Sequence, residues 1–148
     1  PIIASPDIGG VARARQYADK LGYDLVIVDK KREKANESQV MNIIGDVKGK
    51  DVILVDDMVD TAGTLVKAAE VLKEKGANSV MACCTHGVLS GPAYERVANG
   101  VLDELVISDT IPTKKNAKKI TVLTASSIIG EAIRRIHNNE SVNSIFNN

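Results

Sequence analysis

Short apolar runs alternate along the chain with longer amphipathic segments. The apolar runs predict β-strands at residues 2–5, 25–29, 52–56, 80–85, 104–108 and 119–123. The amphipathic segments predict helices at residues 10–21, 64–75, 91–98 and 126–138. Strands that alternate with helices are typical of an α/β fold, with a mostly parallel sheet flanked by helices.

Helical periodicity is clearest between residues 64 and 75. Leu65, Ala68, Ala69 and Leu72 recur at the spacing of one helix face, and Gly76 follows as a C-terminal stop. This helix is therefore expected to pack against the core, whereas the polar residues 30–38 predict an exposed loop. No internal repeat, low-complexity tract or Pro-rich linker interrupts the sequence, so a single domain spanning residues 1–148 is predicted.

Composition and charge exclude several classes of function. Hydrophobic residues make up 44% of the 148 residues and charged residues 26%, as in a folded soluble domain. The net charge is zero and aromatic residues are 3%, so neither an attractive field nor stacking platforms favour nucleic-acid binding. No apolar run reaches the roughly 18 residues that a membrane span needs, so no membrane partner is expected.

The two cysteines are adjacent in the apolar run at residues 80–85. Cys83 and Cys84 should point to opposite faces of a strand, where they cannot easily pair, and they lack zinc-site spacing to other ligands. Buried thiols in a reducing compartment are the preferred interpretation, and a cytoplasmic location is expected.

Residues 56–64 carry the strongest chemical signal. A buried strand ends in Asp56 and Asp57, and Asp60, Thr61, Ala62, Gly63 and Thr64 lead at once into a helix. Small residues at a helix N-terminus let a phosphate approach unpaired N–H groups. The loop lacks the Lys of a nucleoside triphosphatase phosphate loop, so a smaller phosphate is predicted.

The paired carboxylates need a different part of the same ligand. Asp56 and Asp57 only accept hydrogen bonds when ionised and repel phosphate, so they must face a metal or a donor-rich group such as vicinal ribose hydroxyls. A sugar with a phosphate at one end satisfies both halves of the loop. The alternative is that the carboxylates merely solvate a strand end and that Ala62 and Gly63 make a turn.

The string at residues 52–64 resembles the phosphoribosyl-pyrophosphate-binding loop, and further stretches narrow the resemblance to the ribose-phosphate pyrophosphokinase family. These stretches are residues 5–10 (SPDIGG), 29–32 (DKKR), 40–46 (VMNIIGD), 85–92 (THGVLSGP), 108–112 (SDTIP) and 131–136 (EAIRRI). The resemblance implies a phosphoribosyltransferase-like (type I) fold. It also implies transfer of pyrophosphate from ATP to the C1 hydroxyl of ribose 5-phosphate, which forms phosphoribosyl pyrophosphate and AMP with Mg²⁺.

Family members consist of two similar halves and form hexamers. The chain opens at Pro1 without an initiator Met and is similar to the second half, so the N-terminal half is expected to be absent. By the same resemblance, ATP and ribose 5-phosphate are the expected partners and a homo-oligomer is expected. The chain by itself should bind the sugar phosphate but synthesise little product.

The resemblance also implies roles for individual residues. Asp56 and Asp57 would hold the ribose hydroxyls, and Asp60, Thr61, Ala62, Gly63 and Thr64 the 5-phosphate. Lys30 and Arg32 match the catalytic basic pair, Arg32 also contacting substrate, and Asp7 matches a magnesium ligand. Lys31 and Asn143 depart from the family pattern, in the basic loop and in the regulatory C-terminal segment respectively.

Several interpretations compete with these roles. Residues 30–34 could be a solvated charge run, Asp7 could cap the helix near Gly10, and His86 could be a hydrogen-bonded structural residue. Other functions are a phosphoribosyltransferase, whose base-recognising hood we do not find, and a non-catalytic assembly subunit. A signalling receiver domain would need a phosphoacceptor Asp and a later Lys, of which we find no convincing set.

Overall fold

The apolar segments form strands that pair into a sheet, and the amphipathic segments form helices whose apolar faces pack on that sheet. The computed structural model describes residues 1–31, 40–114 and 117–146, with the backbone only at residues 30, 31 and 40. The strands are β1 (Ile2–Ser5), β2 (Leu25–Lys31), β3 (Val40–Ile44), β4 (Asp51–Val59), β5 (Ser79–Gly87), β6 (Glu104–Ser108) and β7 (Ile120–Leu123). The helices are α1 (Val11–Leu21), α2 (Gly63–Glu74), α3 (Ala93–Asn99) and α4 (Ser126–His137), followed by a short 3₁₀ turn, Asn143–Ile145.

The described strands form one sheet in the order β3-β2-β1-β4-β5-β6-β7. Every neighbouring pair is parallel except β2 and β3, which are antiparallel. The prediction of an α/β fold with a mostly parallel sheet is confirmed. Because β1 and β4 are central and parallel, their carboxyl ends lie side by side at one edge of the sheet, where ligands bind in such folds.

Helices cover the sheet unequally on its two faces. On one face, Leu65, Ala68, Ala69 and Leu72 of α2 are all buried in the main core, as the periodicity predicts. On the other face α1 packs through Ala14 and Ala18, which join Ile3 and Val55 in a smaller cluster. The larger core therefore anchors α2, whose N-terminus begins beside the end of β4.

Strand pairing extends two elements beyond their predicted ends. β2 continues through Lys30 and Lys31 because β3, which the sequence pattern did not predict, pairs with them at Met41 and Val40. The predicted loop at residues 30–38 is thus wrong for its first two residues, and its remainder lies outside the described residues. β4 continues three residues past Asp56 because β5 pairs with it, Val59 opposite Gly87.

Helix α4 packs little against the rest of the described chain. None of its residues is buried, and its apolar side chains Ile128, Ile129, Ile133 and Ile136 are exposed. Glu131 forms ion pairs with Arg134 and Arg135, which hold the polar side of the helix together. Within the described residues, no helix combines the length and apolarity needed to cross a bilayer.

The two thiols differ in burial, and this predicts unequal reactivity. Cys84 is buried and Cys83 half-buried. Burial, helped by the Asp56 carboxylate, raises the pKa of Cys84 to about 12. Since only thiolates react quickly, very little Cys84 is in the reactive form at pH 8.

We therefore expect Cys84 to resist iodoacetamide in the native Cys83→Ser variant, as measured by mass spectrometry over time. The Cys84→Ser variant, which retains the half-buried Cys83, should label faster, and denaturant should remove the difference. Equal rates for Cys84 in native and denatured protein would contradict the prediction.

Candidate functional site

A small cavity lies at the carboxyl edge of β1 and β4, against the N-terminus of α2. Its volume is about 200 Å³, below the roughly 300 to 1,000 Å³ of drug-sized pockets. The lining residues are Asp7, Asp56, Met58, Val59, Asp60, Thr61, Ala62, Gly63, Thr64 and Leu65. The fold thus brings the residues expected to hold a phosphate together with Asp56 and Asp7, around a space suited to a small ligand.

Residues 60–64, the candidate phosphate loop, connect the end of β4 to the start of α2. Ala62 adopts a left-handed conformation with φ 59° and serves as the N-cap of α2. Its carbonyl oxygen accepts the N–H of Val66 at 3.0 Å, the first turn of the helix. Ala62 offers no side-chain cap to α2, and Gly63, Thr64 and Leu65 of the first turn line the cavity, where a helix N-terminus favours an anion.

Two residues distant in sequence form hydrogen bonds with the candidate phosphate loop. Ser90 donates its hydroxyl hydrogen bond to the Asp60 carboxylate and its N–H to the Asp60 carbonyl oxygen, the latter at 3.1 Å. Arg96 of α3 donates from Nη1 to the Thr61 carbonyl oxygen at 3.0 Å. Sequence reasoning missed both residues, since only the fold places them beside the loop. These hydrogen bonds stabilise the conformation of the loop.

The acidic pair belongs to the extended strand β4 rather than to the loop. Asp56 lines the cavity, whereas Asp57, whose side chain is 56% exposed, is not among the described lining residues. The Arg13 guanidinium of α1 bridges the two carboxylates, from Nη1 to Asp56 Oδ1 at 2.7 Å and from Nη2 to Asp57 Oδ2 at 2.8 Å. No sequence signal pointed to Arg13.

The two carboxyl groups differ in acidity. Burial raises the pKa of Asp56, against the opposing effects of the Asp57 N–H and the Arg13 charge. Slight burial also acts on Asp57, but the hydrogen bond with Asp56, the Arg13 charge and the Met58 N–H outweigh it and lower the pKa of Asp57. Unequal burial and hydrogen bonding thus shift the pKa values of two chemically identical groups in opposite directions.

Asp7 stabilises the turn before α1 and also lines the cavity. Its Oδ1 accepts the Gly10 N–H at 2.9 Å, a contact near the helix start that was expected as the alternative to metal binding, although Gly10 itself is the N-cap of α1. The second carboxylate oxygen can still serve a cation. No group of three or more His, Cys, Asp or Glu side chains among the described residues could hold a metal. Mg²⁺ nevertheless fits this donor set, because it commonly uses one or two carboxylates with water and substrate oxygens.

The remaining candidate residues lie around the same edge or outside the described chain. Lys30 lies near the carboxyl end of β2, paired with Met41 across the ladder, but its side chain and all of Arg32 lie outside the described residues. The Nδ1 of His86 is 2.8 Å from Thr110 Oγ1, which agrees with the structural alternative for that histidine.

Comparison with known proteins places the sequence in a family. The sequence model of the phosphoribosyl synthetase-associated domain matches residues 30–147. A ribose-phosphate pyrophosphokinase from Campylobacter jejuni is 72% identical over 145 residues, which are 98% of this chain and 47% of that protein. The chain therefore spans about half the length of the curated relatives that it matches.

Solved structures agree with the sequence match. A phosphoribosylpyrophosphate synthetase from Mycobacterium smegmatis superposes with a TM-score of 0.85 at 38% identity, covering 93% of this chain and 45% of that one. An orotate phosphoribosyltransferase from Aeropyrum pernix superposes with a TM-score of 0.58 at 21% identity, covering 90% of this chain and 65% of that one. The second likeness concerns the fold alone, and it confirms the predicted phosphoribosyltransferase-like architecture.

Proposed function

Since this chain belongs to the phosphoribosyl synthetase-associated domain family, we propose that it provides the ribose 5-phosphate site of a ribose-phosphate pyrophosphokinase. The reaction transfers pyrophosphate from ATP to the C1 hydroxyl of ribose 5-phosphate and yields phosphoribosyl pyrophosphate and AMP. The observation that carries the proposal is the shared cavity, where Asp56 faces the helix-terminal phosphate cradle of residues 60–64.

In this proposal the phosphate end of the ligand contacts hydrogen-bond donors and the sugar end contacts hydrogen-bond acceptors. The N–H groups at the start of α2 and the hydroxyls of Thr61 and Thr64 hold the 5-phosphate. Carboxylates accept hydrogen bonds from the ribose hydroxyls in this proposal, namely Asp56, which lines the cavity, and its neighbour Asp57. Because Ser90 already hydrogen-bonds the Asp60 carboxylate, that negative charge is partly offset beside the phosphate.

The chemical step requires positioning and charge neutralisation. The C1 hydroxyl oxygen attacks the β-phosphorus of ATP, the bond from that phosphorus to the α,β-bridging oxygen breaks, and AMP leaves with that oxygen. The hydroxyl loses its proton to the medium or a base. Lys30 and Arg32 neutralise the non-bridging oxygens in this proposal. Asp7 would hold Mg²⁺, which when bound would offset further charge on the same oxygens.

We also propose that residues 1–148 are one domain of a longer enzyme and that the enzyme is a homo-oligomer. The relatives' double length supports the first proposal. The exposed isoleucines of α4 support the second, because a helix with so apolar a face is usually covered by protein. Sedimentation of the longer form would measure its assembly, and a monomer would contradict the second proposal.

Two experiments test the function. Calorimetry on the 148-residue chain should detect binding of ribose 5-phosphate, and chromatography of a form carrying the other half should detect AMP when ATP, ribose 5-phosphate and Mg²⁺ are supplied. This chain by itself, or the longer form without Mg²⁺, should release little AMP. Failure to bind the sugar phosphate would overturn the proposal.

The products also separate the alternative functions. A phosphoribosyltransferase uses the same type of site and shares the fold. It would release pyrophosphate from phosphoribosyl pyrophosphate when given a base, and it would not need ATP. A non-catalytic subunit would bind the sugar phosphate but form neither product in the longer form.

A further inference from the structure

We propose that Arg13 is a positioning residue of the sugar-binding half of the site, acting on the ligand through the carboxylates of Asp56 and Asp57. This inference rests on the proposed function, because it names a residue that prepares the same site for ribose 5-phosphate. Arg13 is distant from both carboxylates in the sequence, 43 residues before Asp56. It reaches them because α1 packs over β1 and β4.

The guanidinium of Arg13 forms a forked contact, in which each terminal nitrogen pairs with a different carboxylate. One terminal nitrogen of Arg13 lies 2.7 Å from Asp56 Oδ1 and the other lies 2.8 Å from Asp57 Oδ2. The guanidinium is planar and its donors keep fixed directions, so it sets the relative orientation of both carboxylates at once. A lysine, with a single charged nitrogen, does not impose that geometry.

Backbone hydrogen bonds complete the arrangement. Asp56 Oδ1 also accepts the Asp57 N–H, and Asp57 Oδ1 accepts the Met58 N–H, each at 2.9 Å. These contacts engage three of the four carboxylate oxygens. Within the described part of the chain, no arginine or backbone nitrogen hydrogen-bonds to Asp56 Oδ2. Asp56 also lines the cavity, so this oxygen is available as an acceptor for a ligand hydroxyl.

The same ion pairs would serve a purely structural role if their main effect were to fasten α1 to the sheet. The side chains of Arg13, Asp56 and Asp57 are 32%, 25% and 56% exposed, and ion pairs with this much solvent contribute little to stability. Adjacent carboxylates on one strand also repel each other, and Arg13 offsets that repulsion beside the cavity. Positioning therefore predicts an effect on the sugar and not on the phosphate.

The test compares two ligands on the 148-residue chain, with chemical shifts of the Ala62 and Gly63 amides as the readout. In Arg13→Gln, the affinity for ribose 5-phosphate should fall about tenfold, a loss typical of one charge-assisted hydrogen bond. The affinity for inorganic phosphate, which touches only the helix N-terminus, should stay unchanged. Arg13→Lys should restore part of the lost sugar-phosphate affinity.

Arg15→Gln serves as the matched control, because Arg15 is an exposed arginine of the same helix. It should leave both affinities unchanged, and thermal unfolding should show that all variants fold. Equal weakening of both ligands in Arg13→Gln, or weakening of neither, would overturn the positioning role while leaving the proposed function intact. If the unsubstituted chain bound neither ligand, the proposed function would fail and this inference with it.

Discussion

Replacing Lys30 by alanine is expected to lower the rate of AMP formation by about 100- to 1000-fold, the usual cost of losing one preorganised charged donor in such a reaction. The resemblance to ribose-phosphate pyrophosphokinases implies a catalytic role for Lys30. The described backbone adds that Lys30 lies in β2, next to β1, whose end leads into the cavity residue Asp7. This backbone position agrees with the proposed role, because ligands bind at this edge of a parallel sheet.

The measurement is the steady-state release of AMP by the longer form, with ribose 5-phosphate affinity measured separately. The sugar-phosphate affinity should change little, because Lys30 is proposed to act on ATP. Lys50→Ala is the matched control, since Lys50 immediately precedes β4 at the opposite edge of the sheet. A rate within about twofold of the unsubstituted enzyme in Lys30→Ala would rule out a catalytic role.

Replacing Asp56 by asparagine is expected to weaken ribose 5-phosphate binding by about 10- to 100-fold. Asparagine keeps the shape but removes the charge, and a hydrogen bond to a charged group contributes about 1.5 to 3 kcal/mol. Asp56 lines the cavity, and its Oδ1 accepts hydrogen bonds from Arg13 and the Asp57 N–H. The substitution therefore weakens an acceptor for the sugar and leaves Arg13 with an ion pair to Asp57 but not to residue 56.

Calorimetry on the 148-residue chain measures this effect, with inorganic phosphate as the second ligand. Asp57→Asn should weaken sugar-phosphate binding less, because Asp57 is not among the described residues that line the cavity. Asp19→Asn, an exposed aspartate of α1, should have no effect. An unchanged affinity in Asp56→Asn would show that the cavity does not bind a sugar through this residue.

Much of the fold could be predicted from local pattern. The buried run before Asp56 and the helix that begins near Ala62 were predicted from apolar periodicity. The sequence also placed the small residues Ala62 and Gly63 at the start of this helix, where they let a ligand approach the backbone. These features depend on neighbours within a few residues, so the sequence records them directly.

Strand ends were harder to predict, because pairing partners decide them. Asp57 and Met58 read as loop residues, but β5 pairs alongside and keeps them in β4. Likewise β3, with polar Asn42 at its centre, forms a strand through pairing with β2. A strand is stabilised by hydrogen bonds to a distant segment, and the local pattern carries no record of that segment.

By itself, the sequence determined the α/β class and the core-facing side of α2, and it predicted a phosphate site at residues 60–64. The tertiary structure decided which carboxylate of the pair faces the cavity, and it brought Arg13, Ser90 and Arg96 to the site from 43, 30 and 35 residues away. The physical reason is range. Periodicity and helix termini act over a few residues, whereas the charge and hydrogen bonding of the site come from helices and loops that meet only when the sheet assembles.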